Sequence, residues 1–252
     1  MPSNYQPPAD FLQDRVILVT GASQPHSLGR AAAMAYAAHG ATVILHGRDM
    51  PKLEAVYDEI ESQGYPQPAI MALDYLKATQ SDLDGFAETI RGTFGRLDGI
   101  FHGASHFSPL MPLALQGLEV WQKQLTVNLA VPVALTKACM PLLAMPAKAT
   151  NLPHGANIIF LSESHAATAM RPGTAYWGPF AVAKGALQSV VDIWQAEMFG
   201  PNTVRFHLYV PGPVSSPMRH KSHPGELTSQ LPSPASLANA FLYFMAEPGN
   251  TT

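Results

Sequence analysis

Lys184 closes the segment Phe180-Ala-Val-Ala-Lys184, which opens an apolar stretch of helical period running through Gly185–Phe199. An unpaired ammonium in such a helix is costly, so a ligand or a partner is expected beside it. The four-residue gap sets positions 180 and 184 on one helix face, one turn apart. An ammonium so placed lowers the pKa of a hydroxyl at 180 and lets it trade a proton with a substrate. Position 180 holds phenylalanine instead, a ring without that proton. Other groups able to carry a proton lie nearby in the chain. Ser162-Glu163-Ser164-His165 ends a strand-like run, and Tyr176 stands four residues before Phe180. Tyr176 is one candidate replacement acid, although Pro179 marks the first helical turn and leaves Tyr176 in the irregular segment ahead of it. His165 beside Glu163 is another candidate pair, set against the usual solvated fate of loop histidines and carboxylates. His102, His106, His154, His220 and His223 form no metal-ligand spacing, so no metal is expected.

A second set of residues suits a phosphate. Thr20-Gly-Ala-Ser-Gln-Pro-His-Ser-Leu-Gly29 joins a buried strand pattern to a helix pattern. In that place bare backbone amides and a helix N-terminus can hold a dinucleotide pyrophosphate. The plainer reading is a strand–helix turn with Ser27 as N-cap. The next strand ends at His46-Gly-Arg48 with no acidic residue at its tip. An acid there would hold the ribose hydroxyls of NAD, whereas Arg48 suits the 2′-phosphate of NADP, so NADP(H) is expected ahead of NAD(H). Asp74 closes the third strand, either facing an adenine or capping the following turn.

These residues need a scaffold, and the chain supplies one. Strand patterns at Arg15–Thr20, Ala41–His46, Ala69–Leu73, Gly99–His102, Asn157–Ser162 and Val204–Val210 alternate with helix patterns. The helices are expected over Leu28–His39, Lys52–Ser62, Leu83–Thr93, Leu118–Leu143, the Phe180 stretch and Ser236–Met245. Continuous apolar strands alternating with helices imply an α/β fold, a doubly wound parallel sheet with right-handed crossovers. The 252 residues fit one domain, and 47% hydrophobic against 13% charged residues argues for a globular chain. A net charge of −3 gives no sign of nucleic-acid or membrane-surface binding. Cys139 is the single cysteine, which excludes an internal disulfide. No secretory signal is read at the start and no apolar run reaches about 18 residues without polar interruption, so no membrane span is expected and the protein is expected to be cytoplasmic. The stretch Met145–Ala156 is a Pro-rich loop of unusual length.

From end to end, this pattern resembles the short-chain dehydrogenase/reductase family, with its Rossmann-type sheet. That family reads Thr-Gly-x-x-x-Gly-x-Gly in the first turn; here two residues are inserted and Ser27 stands for the middle glycine, a spacing similar to the enoyl-reductase branch. The resemblance implies cofactor contacts from Gly21, Ser23, Ser27, Leu28 and Gly29, from Arg48, Asp74 and Ala104, and from Lys184 on the nicotinamide ribose. Pro211-Gly-Pro-Val-Ser-Ser216 resembles the family's Pro-Gly-x-x-x-Thr, which adds Pro211, Gly212 and Ser216. The family's Asn-Asn-Ala-Gly is His102-Gly-Ala-Ser105 here, and its Tyr-x-x-x-Lys has become Phe180-x-x-x-Lys184. Its catalytic serine falls by register at Glu163, with Ser162 and Ser164 on either side. The catalytic set so implied is Lys184, Asn128, Ser164 and Tyr176, Asn128 being otherwise a polar group satisfied within a long helix. In the enoyl-reductase branch a tyrosine lies seven residues before the lysine; Tyr176 lies eight before Lys184 and Trp177 seven. Two functions stay open: hydride transfer to a small or medium apolar carbonyl or enoyl substrate, and a non-catalytic binding, sensing or scaffold protein on the same fold. The resemblance also implies a homodimer or homotetramer through the Leu118–Leu143 and Phe180 helices. The family's seventh strand is expected to be missing, or the chain trimmed, because the sequence stops at Glu247–Thr252.

Overall fold

A computed structural model describes residues 5–144, 155–163, 175–198 and 204–246. Among them, strands β1 (Val16–Thr20), β2 (Thr42–Gly47), β3 (Ala69–Ala72), β4 (Gly99–His102), β5 (Asn157–Leu161) and β6 (Arg205–Tyr209) form one sheet. Its order is β3-β2-β1-β4-β5-β6 and every pair is parallel. Helices α1 (Leu28–Ala38), α2 (Met50–Ser62), α3 (Gln80–Phe94), α4 (Leu118–Leu125), α5 (Val131–Leu143), α6 (Gly178–Glu197), α7 (Pro217–Ser222) and α8 (Ala238–Ala246) accompany it. The order reverses between β1 and β4, and the carboxyl ends of strands on either side of such a switch point leave a crevice.

Successive residues of a strand point to opposite faces, and both faces here are covered. Val16, Leu18, Ile100, Ile158 and Phe160 join Leu135, Leu187 and Val191 in one core. Ile17, Val19, Phe101, Ile159 and Leu161 join Ala32, Tyr36, Leu53 and Phe241 in the other. This two-sided burial is why the strands read as unbroken apolar runs. At the amino ends of the central strands Asp98 ties β1 to β4: it accepts from Val16 N at 2.8 Å and takes a bidentate pair from Arg96, both bonds 2.8 Å.

Local signals set the helix starts. Ser27 caps α1 by accepting from Arg30 N, Asp49 caps α2 by accepting from Lys52 N, and Thr79 with Asp82 forms a capping box on α3. Gly95, in the left-handed region with φ 68°, ends α3. Observed ends differ from the expected ones by at most three residues, as frayed ends do. The structure adds α7, absent from the sequence reading although Ser216 followed by Pro217 is a capping signal.

Leu118–Leu143 forms a single helical run of 26 residues, long and apolar enough by length and composition to cross a membrane, although polar residues interrupt it. Its Val127, Val131, Leu135, Cys139 and Leu142 are buried against α3 and the sheet, the packing of a core helix. Between α4 and α5 the run passes through a π-helical turn, Thr126–Ala130, with Asn128 inside it. Such turns widen a helix locally and recur at functional sites. Ser164, His165, His154, most of the Met145–Ala156 loop and the end Glu247–Thr252 lie outside the described residues. No seventh strand is seen among the described residues.

Candidate functional site

The carboxyl ends of the strands surround a cavity of about 510 Å³. At its centre the ends of β1 and β4 meet at van der Waals limits. Gly21 has φ +72°, and a Cβ on it would lie 2.6 Å from the amide nitrogen of Ala104 and the carbonyl of Gly103. A Cβ on Gly29 would fall 2.4 Å from the Gly21 carbonyl oxygen. Only glycine permits both approaches, and they bring the N-terminus of α1 against the cavity with a bare backbone cradle in front of it. Thr20 Oγ1 accepts from Ala104 N at 3.1 Å, and Ser27 Oγ donates to Gly21 O at 3.2 Å, which fixes the turn. Ser23 is buried where the end of β2 closes over it: a Cβ on Gly47 would stand 2.9 Å from Ser23 Oγ. This is a chain that has removed side chains where a pyrophosphate would rest, so the residues present fit a dinucleotide.

Gly21, Ser23, Ser27, Leu28, Arg48, Asp74 and Ala104 all line the cavity, as do Lys184, Pro211, Gly212 and Ser216. Arg48 is exposed just past the end of β2, beside the cradle. Asp74 also accepts from Leu76 N at 3.1 Å, so it caps its turn as well. Ser216 has a second role that the sequence reading missed, since its hydroxyl oxygen caps α7 by accepting from Arg219 N at 3.2 Å. Gly29 stands behind the lining and acts through its closeness to Gly21.

At the other end, Lys184 is buried and donates from Nζ to the Leu161 carbonyl at 2.9 Å. The expected partner is therefore a strand-end carbonyl. Burial pulls the Lys184 ammonium down to about 8, partly opposed by the carboxylate of Glu163. Phe180 is fully packed, with its ring centroid 5.2 Å from Phe107 and 5.9 Å from Trp177. These rings fill the space around the position where an ionisable hydroxyl would have stood.

Of the hydroxyls near Glu163, Ser162 is buried and donates to the Lys184 carbonyl at 3.1 Å, which ties the end of β5 to α6. Ser164, with His165, lies outside the described residues. Glu163 lines the cavity beside Lys184. Burial raises its carboxyl pKa above the ordinary value of 4.5, while Lys184 and Arg219 pull the other way. Arg219, which sequence reasoning missed, reaches the cavity from α7 and is held by a bidentate pair to Glu226 at 2.5 and 2.7 Å.

Two expected catalytic residues stand elsewhere. Tyr176 is 56% exposed, has φ 75° and is not part of the cavity lining; Trp177 turns inward in its place. The positive φ at Tyr176 and Gly178 reverses the chain just before α6, and this sends the phenol outward. Asn128 is buried, and its amide is committed to the segment after β4. It donates to His106 O at 2.8 Å and Gln124 O at 2.9 Å, and accepts from Ser105 Oγ at 2.8 Å and His106 N at 3.1 Å. Its side chain thus positions the wall that carries Phe107, and no bound water is needed to satisfy it. His102, at the family's first asparagine, is buried, shares a 2.8 Å hydrogen bond with Thr136 Oγ1 and stacks on Phe160 at 4.6 Å. Burial lowers its pKa to about 3, so it is a neutral core residue. Among the described residues no cluster of histidine, cysteine and carboxylate could hold a metal.

Comparison with known proteins places this geometry. The family model described as short chain dehydrogenase matches residues 15–227. The chain is 34% identical to the Escherichia coli K12 protein named uncharacterized oxidoreductase YciK, over 97% of this chain and 91% of that protein. A Shigella flexneri short chain dehydrogenase solved in complex with NADP superposes with a TM-score of 0.86 at 33% identity, covering 95% of this chain and 94% of the other. An E. coli CFT073 short chain dehydrogenase in complex with NADPH gives a TM-score of 0.86 at 34% identity, covering 96% and 94%. The glycine cradle, the six parallel strands and a match spanning most of the sequence lead to one conclusion: this chain belongs to the short chain dehydrogenase family.

Proposed function

We propose that the protein binds NADP(H) and acts as an oxidoreductase, reducing an apolar carbonyl or enoyl substrate. The observation that carries this reading is the continuity of one cavity. The Gly21–Gly29 cradle and Arg48 line it together with Lys184, and Phe107, Trp177, Val214 and Met218 add an apolar wall. NADP and NADPH in the Shigella and E. coli relatives support the choice of cofactor. Backbone amides at the N-terminus of α1, with Ser23 and Ser27, would hold the pyrophosphate. Arg48 would pair with the 2′-phosphate, a charge-assisted contact that NAD cannot offer. Asp74 would face the adenine, and Lys184 the nicotinamide ribose. When bound, the reduced cofactor supplies a hydride. The protein must then exclude water, orient the acceptor against the apolar wall, and supply a proton, which Phe180 cannot do.

Phe180 also favours a second reading, a protein that binds the cofactor without turning over a substrate. The two separate in one experiment: NADPH titration by fluorescence, then a panel of aldehydes, ketones and enoyl thioesters with wild type and Phe180→Tyr. Binding with wild-type turnover supports the oxidoreductase. Binding without turnover, with activity gained by Phe180→Tyr, supports the binding protein. Absence of binding at millimolar NADPH overturns both. The exposed Leu118 on α4 and Val182 and Ile193 on α6 suit pairing with a second copy, which light scattering would detect as a dimer or tetramer.

A further inference from the structure

We propose that Glu163 is the proton donor of this site, taking over the role that the missing hydroxyl at position 180 leaves open. The inference rests on the oxidoreductase reading above and names the residue that completes it.

Three observations carry it. Glu163 follows β5 directly and lines the same cavity as Lys184 and the Phe107–Trp177 wall. The charged groups that face it, Lys184 from α6 and Arg219 from α7, are cationic: they work against burial on its pKa and would stabilise the carboxylate left after proton transfer, although Arg219 is already engaged by Glu226. Several other described groups are poor donors. Phe180 has no proton, the Tyr176 side chain is exposed outside the cavity, and the Ser162 hydroxyl is turned to the Lys184 carbonyl. Tyr75 also lines the cavity, but burial raises its phenol to about 13, too weak an acid near neutrality. Asp74 sits after β3, four strand positions from β5, or about 19 Å at the usual strand spacing. Glu163 is thus the lining carboxyl placed beside the lysine.

Burial supports the assignment by holding the carboxyl above its ordinary 4.5, toward the range where an acid works well near neutrality. In reduction, a hydride from the reduced nicotinamide dinucleotide forms the new C–H bond at the carbonyl carbon. The carbonyl π electrons move to oxygen, and the Glu163 O–H bond breaks as its proton passes to that oxygen. The products are the alcohol, the oxidised cofactor and the Glu163 carboxylate, which regains its proton from water. In the reverse direction the carboxylate accepts the alcohol proton.

The test compares wild type, Glu163→Gln and Glu163→Asp, with three readouts. NADPH affinity by fluorescence is expected to stay within about threefold in both variants, since the residue acts on substrate. The value of kcat/KM for carbonyl reduction is expected to fall by about 10²–10⁴ in Glu163→Gln. Glu163→Asp should retain part of the activity and the loss of rate with rising pH, a limb that Glu163→Gln should lack. Carbon-13 NMR titration of glutamate-labelled protein should show one carboxyl, missing from Glu163→Gln, that titrates above 4.5. A Glu163→Gln enzyme within threefold of wild type with the same pH profile overturns the inference. So does a Glu163 carboxyl that titrates at 4.5 or below. Failure to bind NADPH, or binding without turnover of any substrate in the panel, overturns the oxidoreductase reading itself and this inference with it.

Discussion

The Lys184 ammonium lies 5.8 Å from the centroid of the Phe180 ring, where the sequence spacing would otherwise have set a charge beside a hydroxyl. A cation over a ring face is attractive, by about 0.5–2 kcal/mol depending on desolvation, but it moves no proton. Lys184 keeps its place through this contact and through the Leu161 carbonyl. The one-turn spacing of residues 180 and 184 holds in the helix, and the ring at 180 carries no ionisable proton.

Phe180 is expected to matter for stability whatever the chemistry. Its ring is 1% exposed and packs on Phe107 and Trp177. Phe180→Ala should cost about 3–5 kcal/mol in a urea unfolding curve, since the rings around it cannot collapse fully into the space.

The turn at Gly21 should tolerate no side chain. With φ +72° and backbone atoms 2.6 Å from a would-be Cβ, Gly21→Ala must push β1 and β4 apart. We expect loss of NADPH binding by fluorescence titration, together with a lowered melting temperature.

Arg48 is expected to set cofactor choice. Removing a charge-assisted contact costs about 1.5–3 kcal/mol, or roughly 10- to 100-fold in affinity. Arg48→Ala should weaken NADPH by that factor and leave NADH within about twofold, with an unchanged unfolding curve because the side chain is exposed.

Stability should fall in mild acid. Burial holds His46 and His207 down to about 4 and His102 to about 3, from an ordinary 6.5. Between 6.5 and about 4 the unfolded chain therefore binds protons that the folded chain refuses, and stability is lost as the pH drops. Each such histidine contributes a slope of up to about 1.4 kcal/mol per pH unit. Urea midpoints measured from pH 7.5 down to 5 should decline steadily, and His46→Gln should flatten the decline.

Much of the scaffold was legible because it depends on local pattern. Ile17, Val19, Ile158 and Phe160 belong to strands buried on both faces, and such strands read as continuous apolar runs wherever they occur. Ser27 before Leu28 announced its helix through capping chemistry a few residues long, whereas the Thr79–Asp82 box went unread and the helix expected from Leu83 starts at Gln80. The site was legible only in part. Tyr176 sits four residues from Phe180 in sequence, yet a left-handed backbone at 176 points its phenol away from the cavity. Arg219 gave no signal because its place in the site depends on α7 folding back over the strand ends.

The sequence by itself determined the parallel sheet, the glycine turn and the fact that position 180 carries no proton, since each follows from residue type and short-range spacing. The tertiary structure decided which groups share the cavity. It turned Ser162 into a tie between β5 and α6, engaged Asn128 with the His106 segment, and set Glu163 beside Lys184 in partial burial. Those outcomes depend on the dielectric and on contacts between residues distant in sequence. An acid gains its altered pKa from such surroundings, and no local pattern records them.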